Sequence, residues 1–211
     1  MTMAIVKNGI LGGFSGKAGT VVGYHSKGKD LMRGIPRKRT SGPTPKELAN
    51  REKFAYVQAW LQPLLEFLRI GFQDYAPDFQ GFVAAKSYNS KNAVIGSSPY
   101  FQINPALALV SFGEMSQATS ATAVAESPNT INFNWSGKNF IYDDRAMLMA
   151  YDITGEKAIF NTASERADGG HARLKLDENF SGKQVDVYLA FVSEDRKRRS
   201  NSQYLGLLTV I

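Results

Sequence analysis

Six basic residues between positions 27 and 39 carry the clearest chemical signal in the chain. They are Lys27, Lys29, Arg33, Arg37, Lys38 and Arg39. Asp30 is the one acidic residue in the same window, so the local charge is strongly positive. Such side chains neutralise backbone phosphates or pair with carboxylates of another protein, and the rings of Tyr24 and His25 could stack on exposed bases. The window therefore predicts an acidic protein partner or a nucleic acid, or else a solvated surface without a partner.

The glycine-rich segment before this window has the wrong spacing for a phosphate loop. That loop needs Gly-Lys followed by Ser or Thr, with another glycine five positions before the Gly-Lys pair. Here Ala18 follows Gly16-Lys17, and Leu11 stands at the earlier glycine position. A dinucleotide-binding Gly-x-Gly-x-x-Gly between a strand and a helix is also absent. We therefore expect no nucleotide cofactor.

The remaining ionisable residues do not form a recognisable catalytic or metal-binding motif. His25 and His171 are far apart and lack the spacing of zinc or iron ligands. The adjacent carboxylates Asp143-Asp144 could bind a hard cation, although such a pair more often forms a turn. No serine has the Gly-x-Ser-x-Gly context of a nucleophile. We expect a protein that is not an enzyme, and a deep pocket lined by clustered ionisable residues would reverse that expectation.

The composition is that of an ordinary globular protein with an excess of positive charge. The 211 residues are 43% hydrophobic and 11% aromatic, which suits one large domain or two small ones. The formal net charge is +6 and the pI is near 9.4. A second basic cluster occupies positions 196–199. Cysteine is absent, which excludes disulfides, thiolate nucleophiles and cysteine metal sites.

The first residues do not have the pattern of a secretory signal. Lys7 is the only early positive charge, and Ile10-Leu11 is far shorter than the roughly 7–15 apolar residues of a signal core. No stretch approaches the roughly 18 apolar residues of a transmembrane helix. We therefore expect a cytoplasmic protein without a membrane segment, and no small-molecule substrate is indicated.

The basic window is predicted to lie on a β-hairpin. Frequent glycines divide residues 12–28 into pieces too short for helices. Residues 19–26 and 29–35 contain the apolar and β-branched types that are common in strands. Gly28 can supply the positive φ that the turn between them needs.

Helices are predicted to begin after Thr44. Thr44, Pro45 and Glu47 have the pattern of a capping box, in which two side chains satisfy free N–H groups of the first turn. The apolar residues that follow recur at three- and four-residue steps and define one helix face. They are Phe54, Val57, Leu61, Leu64, Leu65, Leu68 and Phe72. Pro63 predicts a kink or a break, Gly71 can end the second piece, and a further helix is predicted over residues 79–94.

The pattern changes after residue 99 to short alternating runs separated by turn residues. The predicted strands are residues 100–104, 108–112, 122–126, 130–135, 146–153, 157–161, 172–176, 185–193 and 204–210. Strands at this spacing favour a β-sandwich or barrel. Trp60 and Trp135 are predicted to anchor the core, because each lies in an apolar periodic context.

Three of these runs have a familiar order. The segment INFNW at residues 131–135 resembles the tryptophan-bearing B strand of fibronectin type III domains. Residues 185–191 resemble the F strand of that fold, and residues 200–210 its last strand. The resemblance implies an immunoglobulin-like sandwich, and a fold of this kind does not bring a function with it.

A second resemblance covers nearly the whole chain. It rests on the glycine pattern of residues 16–23, the RGIP segment at 33–36, Pro-Thr-Pro at 43–45 and SNSQYLG at 200–206. On these segments the chain resembles an uncharacterised family of Bacteroidetes proteins of similar length, a domain of unknown function. The first half also resembles short proteins from phage-like gene neighbourhoods. Neither resemblance implies an activity, a cofactor or site residues.

Together the patterns predict an α+β protein. Residues 1–96 would form a β-hairpin and helical domain, residues 97–121 a connection, and residues 122–211 a fibronectin type III-like β-sandwich. We expect a non-enzymatic structural or interaction protein, of which a phage-like assembly component is one form, that binds a protein partner or associates with itself. The alternative is a nucleic-acid-binding protein that acts through the hairpin from Lys27 to Arg39.

Overall fold

A small antiparallel sheet lies within the first 44 residues, which form one of two compact units in the computed structural model. Its strands, in spatial order, are β1 (Ile5–Val6), β2 (Phe14–Ala18), β3 (Val21–Ser26) and β4 (Lys29–Gly34). The structure describes residues 5–6, 12–26, 28–73 and 80–211. The predicted hairpin is confirmed, and Gly28 has the expected positive φ of 74° at its turn.

The second unit, residues 45–211, begins with three helices. They are α1 (Pro45–Leu61), α2 (Leu65–Gly71) and α3 (Gly81–Asn92), and a 3₁₀ turn (Gln62–Leu64) separates the first two. Pro63 lies in that turn because its ring and its missing N–H interrupt the α-helical hydrogen bonds. The predicted start of α1, the break at Pro63 and the end of α2 at Gly71 are confirmed.

The helix predicted over residues 79–94 is too long at its C-terminal end. The strand β5 (Val94–Ser97) begins directly after α3 and pairs antiparallel with β6 (Tyr100–Ile103). Two β-branched residues, Val94 and Ile95, open β5 and favour the extended conformation. Residue 79 lies outside the described residues.

Residues 108–112, predicted as a strand, form a buried connection instead. The backbone N–H of Phe112 donates to the carbonyl of Gly71 at 2.9 Å, and that of Val110 donates to Ser202 Oγ at 3.0 Å. The carbonyl at the end of α2 and the serine side chain therefore accept hydrogen bonds from backbone N–H groups that would pair with a neighbouring strand in a β-sheet. The apolar run that suggested a strand reflects burial.

Seven further antiparallel strands form two sheets. They are β7 (Ser120–Glu126), β8 (Thr130–Ser136), β9 (Arg145–Asp152), β10 (Lys157–Asn161), β11 (His171–Lys175), β12 (Gln184–Val192) and β13 (Gln203–Thr209). One sheet has the order β10-β9-β12-β13, and the other has the order β11-β8-β7. All seven were predicted to within two residues at each end.

The central strand β9 is buried on both faces. Successive side chains of a strand point to opposite faces. Met147, Met149 and Tyr151 lie in a hydrophobic cluster with the helices, whereas Leu148 and Ala150 lie in a second cluster with the three-stranded sheet. All five are essentially inaccessible to solvent. The neighbouring strand β12 divides its side chains between the same two clusters.

Aromatic contacts join the helices to the four-stranded sheet. The rings of Trp60 and Tyr151 meet edge to face at 5.6 Å, and Tyr151 Oη donates to the carbonyl of Trp60 at 2.9 Å. Phe67 meets Phe160 of β10 in the same way at 5.6 Å. Trp60 is buried here and Trp135 is buried in the second cluster, so both predicted anchors are confirmed.

The structure confirms an α+β protein, and its two compact units divide at Thr44. The parts 1–96, 97–121 and 122–211 stay a prediction. The helices fall in the same unit as the later strands because they share one hydrophobic cluster with β9 and β12. Their apolar face is covered by a sheet that lies about 90 residues further along the chain.

Phe54 corrects the predicted helix face. Most members of that face, such as Val57 and Leu61, are fully buried, whereas Phe54 is 59% exposed. From α3, the Nζ atom of Lys86 lies 3.0 Å from the centre of the Phe54 ring. The stripe of apolar residues therefore leaves the core at its N-terminal end.

Alanine substitutions of Leu148 and Met149 test whether β9 contributes to stability through buried side chains on both of its faces. Leu148→Ala and Met149→Ala should each lower the free energy of unfolding by about 2–5 kcal/mol, because each leaves a cavity in a different cluster. Val124→Ala, at an exposed position of β7, should cost less than about 1 kcal/mol. Urea unfolding followed by circular dichroism measures all three. A large loss in only one of the two β9 variants would contradict burial on both faces.

Candidate functional site

One face of the small sheet collects basic side chains. Arg33 of β4 lies opposite Val22 of β3, and Lys17 of β2 lies opposite Val22 on its other side. Residues in register across a sheet share a face, and so do residues two or four positions apart in one strand. Lys17, Lys29 and Arg33 therefore lie on one face, and all three are exposed.

Tyr24 and Leu31 add apolar surface to this same face. They are paired in register across β3 and β4, and both are exposed. The Arg33 guanidinium lies 5.5 Å from the centre of the Tyr24 ring, within cation–π range. We call these five residues, Lys17, Tyr24, Lys29, Leu31 and Arg33, the basic face.

The opposite face of the sheet holds the only acidic group of the first 44 residues. His25 Nδ1 donates to Asp30 Oδ1 at 2.9 Å, so Asp30 is engaged away from the basic face. Met32 lies on the Asp30 side, opposite Gly23, and is 65% exposed. A Cβ on Gly23 would lie 2.3 Å from the carbonyl oxygen of Phe14, so only glycine permits this close pairing.

No side chain of β2, β3 or β4 is buried. Gly23 is the single buried residue in these strands, and all six residues of β4 are exposed. A sheet of this size needs an apolar face packed on something else for independent stability. Among the described residues, the side chains of these three strands are therefore at least partly accessible to solvent on both faces of the sheet.

Two of the predicted site residues, Lys29 and Arg33, are brought together on the basic face. Arg37, Lys38 and Arg39 follow β4 in an exposed segment without regular structure. Lys27 lies outside the described residues. Lys17 was missed by sequence reasoning, although strand alternation across a tight turn at Gly19-Thr20 would have placed it beside Val22.

The net charge of the chain is concentrated in this first unit. Residues 1–44 contain eight basic residues and one acidic residue, whereas residues 45–211 contain seventeen basic and eighteen acidic residues. Most of the positive potential therefore originates near the small sheet.

A family model described as "Family of unknown function (DUF6266)" matches residues 13–206. The chain belongs to this family. The DUF6266 match spans both compact units and includes the basic face. It confirms the resemblance to an uncharacterised domain. A comparison with curated proteins gave no match.

Two buried carboxylates of this DUF6266 protein are held by neighbouring groups. Asp152 accepts from the backbone N–H of Gly155 at 2.8 Å and from Lys183 Nζ at 3.0 Å. Burial raises the pKa of Asp152, but these donors lower the pKa by a larger amount. The net pKa is therefore below the ordinary value. Asp186 accepts from Tyr204 Oη at 2.7 Å, and burial outweighs this bond and raises the pKa of Asp186.

The other ionisable residues singled out in the sequence have local roles. Asp144 Oδ2 accepts from the backbone N–H of Ile141 at 2.8 Å, so the Asp143-Asp144 pair belongs to a turn. His171 is exposed, and its Nδ1 lies 3.0 Å from the carbonyl of Gly169. Among the described residues, no three metal-ligating side chains come together. Within the same residues, no helix has the length and apolar character needed to cross a membrane.

The lowered pKa of Asp152 predicts a pH-dependent contribution to stability. Asp152→Asn should reduce the free energy of unfolding at pH 7 by about 1–3 kcal/mol, because charge-assisted hydrogen bonds are lost. The native stabilisation is present above the ordinary pKa of 3.8 and is lost as the pH falls through the lower folded-state pKa. The difference in the free energy of unfolding between wild type and variant should therefore become smaller below about pH 4.

Urea unfolding between pH 3 and pH 7 measures this difference. Asp177→Asn is the matched control, because Asp177 is exposed. A difference for Asp152→Asn that stays constant over the whole pH range would contradict the assignment.

Proposed function

We propose that this protein is a non-enzymatic interaction protein whose β4 strand binds an acidic segment of a protein partner. The observation that carries the proposal is the complete exposure of β4, including Leu31 and Met32, beside the cations of the basic face. Exposed apolar groups interleaved with arginine and tyrosine are typical of protein interfaces. The segment of residues 35–39 would extend the positive surface beyond the strand.

The edge of β4 suits the addition of a strand. β4 is the last strand in its sheet, and no other described strand pairs with its outer edge. A partner segment on that edge would gain main-chain hydrogen bonds, and its alternate side chains would meet the two faces of the sheet. Carboxylates on one side of the segment would lie beside Lys29 and Arg33, and apolar groups on its other side would lie beside Met32.

The charges of β4 disfavour a second copy of the same strand as the partner. In an antiparallel pairing centred on Leu31, Lys29 of one copy would lie opposite Arg33 of the other. Like charges directly opposite each other destabilise a strand pair, and charged edges are a common defence against self-association. A segment rich in carboxylates meets no such penalty.

A nucleic acid is the competing partner. Lys17, Lys29 and Arg33 could neutralise phosphates, and the Tyr24 ring could stack on a base. Phosphate contacts do not explain Leu31 and Met32, which are exposed on opposite faces of the strand. A protein segment uses both faces, so we favour it.

We further propose that residues 120–209 form a fibronectin type III-like sandwich. In immunoglobulin-like folds, strands A, B and E share one sheet and strands C, F and G share the other, with C′ added next to C in some members. Assigned in chain order, β7, β8 and β11 take the places of A, B and E, and β9, β10, β12 and β13 take those of C, C′, F and G. The tryptophan of β8 then falls on strand B, as the sequence resemblance implies.

The absence of catalysis is part of this proposal. The buried carboxylates Asp144, Asp152 and Asp186 have partners that account for their burial. A role in assembly agrees with the resemblance of the first half to proteins from phage-like gene neighbourhoods. In this proposal the sandwich is a rigid module, and the small sheet makes the specific contact.

Fluorescence anisotropy with labelled synthetic peptides tests the partner class. A 12-residue peptide in which glutamate alternates with leucine should bind the full chain more tightly than its glutamate–serine analogue. The double variant Lys29→Gln/Arg33→Gln should weaken binding of both peptides by about threefold to tenfold and reduce its salt dependence. Met32→Ser should abolish only the preference for leucine.

Lys138→Gln, an exposed lysine of the second unit, is the matched control and should leave both affinities unchanged. Single-stranded and duplex 20-nucleotide DNA are the competing probes. Salt-sensitive binding of DNA that depends on Lys29 and Arg33 but not on Met32, with no peptide binding, would establish the nucleic-acid alternative. Concentration-dependent light scattering abolished by Met32→Ser would instead indicate self-association.

A further inference from the structure

A shallow groove between α1 and α3 contains a buried lysine and exposed aromatic surface. The groove encloses about 470 Å³. Its apolar wall consists of Phe54, Phe82 and Val83, and Phe54 and Val83 are 59% and 46% exposed. These side chains belong to the well-packed helical part of the second unit, so their exposure is not the result of a missing core.

Lys86 is the unusual group in this groove. The residue is only 7% exposed, and buried lysines are rare unless they are paired with an acid. Its Nζ donates to Gln58 Oε1 and lies 3.0 Å from the centre of the Phe54 ring. Within the described residues no carboxylate forms an ion pair with it.

The hydrogen bond from Lys86 to Gln58 leaves two of the three N–H donors of the ammonium group for a ligand. An ammonium group has three N–H donors. Gln58 accepts one, and the face of the Phe54 ring attracts the charge without accepting a conventional hydrogen bond. Burial lowers the pKa of Lys86, which is the expected response of an ammonium group without a counter-charge.

The charge of the lining determines the class of ligand. Lys86 and Lys91 both line the groove, and no carboxylate does. An anion would therefore be attracted, and it would also supply the counter-charge that Lys86 lacks. The apolar wall beside the ammonium favours a ligand whose charge sits at one end of a hydrocarbon body.

We propose that the groove between α1 and α3 binds a small apolar carboxylate. The carboxylate accepts a hydrogen bond from Lys86 Nζ, and the hydrocarbon body lies against Phe54, Phe82 and Val83. This site lies on different elements from the basic face and does not depend on the function proposed for β4.

Octanoate, its neutral analogue octanamide and the short anion acetate separate the two contributions. Titration of the ¹⁵N-labelled full chain should give shifts at amides of α1 and α3 around Phe54 and Lys86. The affinity for octanoate should exceed the affinity for octanamide by about tenfold or more, because only the carboxylate pairs with the ammonium group. Acetate should bind more weakly than octanoate, because it cannot cover the apolar wall.

Lys86→Met and Phe54→Ala identify the contacts. Lys86→Met should remove the preference for octanoate over octanamide, and its fold should persist because a buried charge is replaced by an apolar chain of similar length. Phe54→Ala should weaken both ligands, and its fold should persist because Phe54 is largely exposed. Lys138→Met is the matched control and should change octanoate affinity less than about twofold, since Lys138 is exposed and does not line the groove.

Three results would overturn the proposal. The first is equal affinity for octanoate and octanamide, and the second is octanoate binding that survives Lys86→Met unchanged. The third is the lack of shifts in α1 and α3 with every probe. Preserved amide spectra of the variants distinguish a lost contact from a lost fold.

Discussion

The burial of β9 and β12 on both faces is the constraint on which the second unit depends. A strand whose two sets of side chains are both apolar cannot lie at a sheet surface that meets water. On β9, the side chains on the Leu148 face pack in a cluster with the three-stranded sheet. The side chains on the Met149 face pack in a cluster with the helices. The helices are therefore a required layer of this unit. Removing either layer would expose a continuous apolar surface.

The first unit follows the opposite rule, and this contrast supports the proposal of an interaction surface on β4. Residues 45–211 bury their apolar groups and carry nearly balanced charge, whereas the β2–β4 strands bury no side chain and lie in the segment that contains the positive excess. A chain that can build a well-packed core has no folding reason to leave Leu31 and Met32 exposed. The proposed contact with a partner accounts for their exposure beside Lys29 and Arg33.

Local signals predicted the elements well, and long-range contacts decided what the sequence missed. The start of α1 at Pro45, the break at Pro63 and the limits of β7–β13 depend on turn chemistry and side-chain periodicity within a few residues. The sharing of a core between helices and sheet depends on contacts such as Trp60 with Tyr151, which no local pattern contains. The buried connection at residues 108–112 was misread as a strand for the same reason.

The two candidate sites show the same limit at finer scale. Lys29 and Arg33 were predicted as contacts because charge is visible in sequence, but Lys17 joins them only through strand register. Phe54 has the spacing of the apolar helix face, but it lies against Lys86 of α3 and lines an exposed groove instead of the core. Periodicity identifies which side chains share a face, and only the packed partner decides whether that face is core or surface. In both candidate sites an exposed apolar side chain lies near a cation: Leu31 shares a sheet face with Lys29 and Arg33, and Phe54 lies against Lys86.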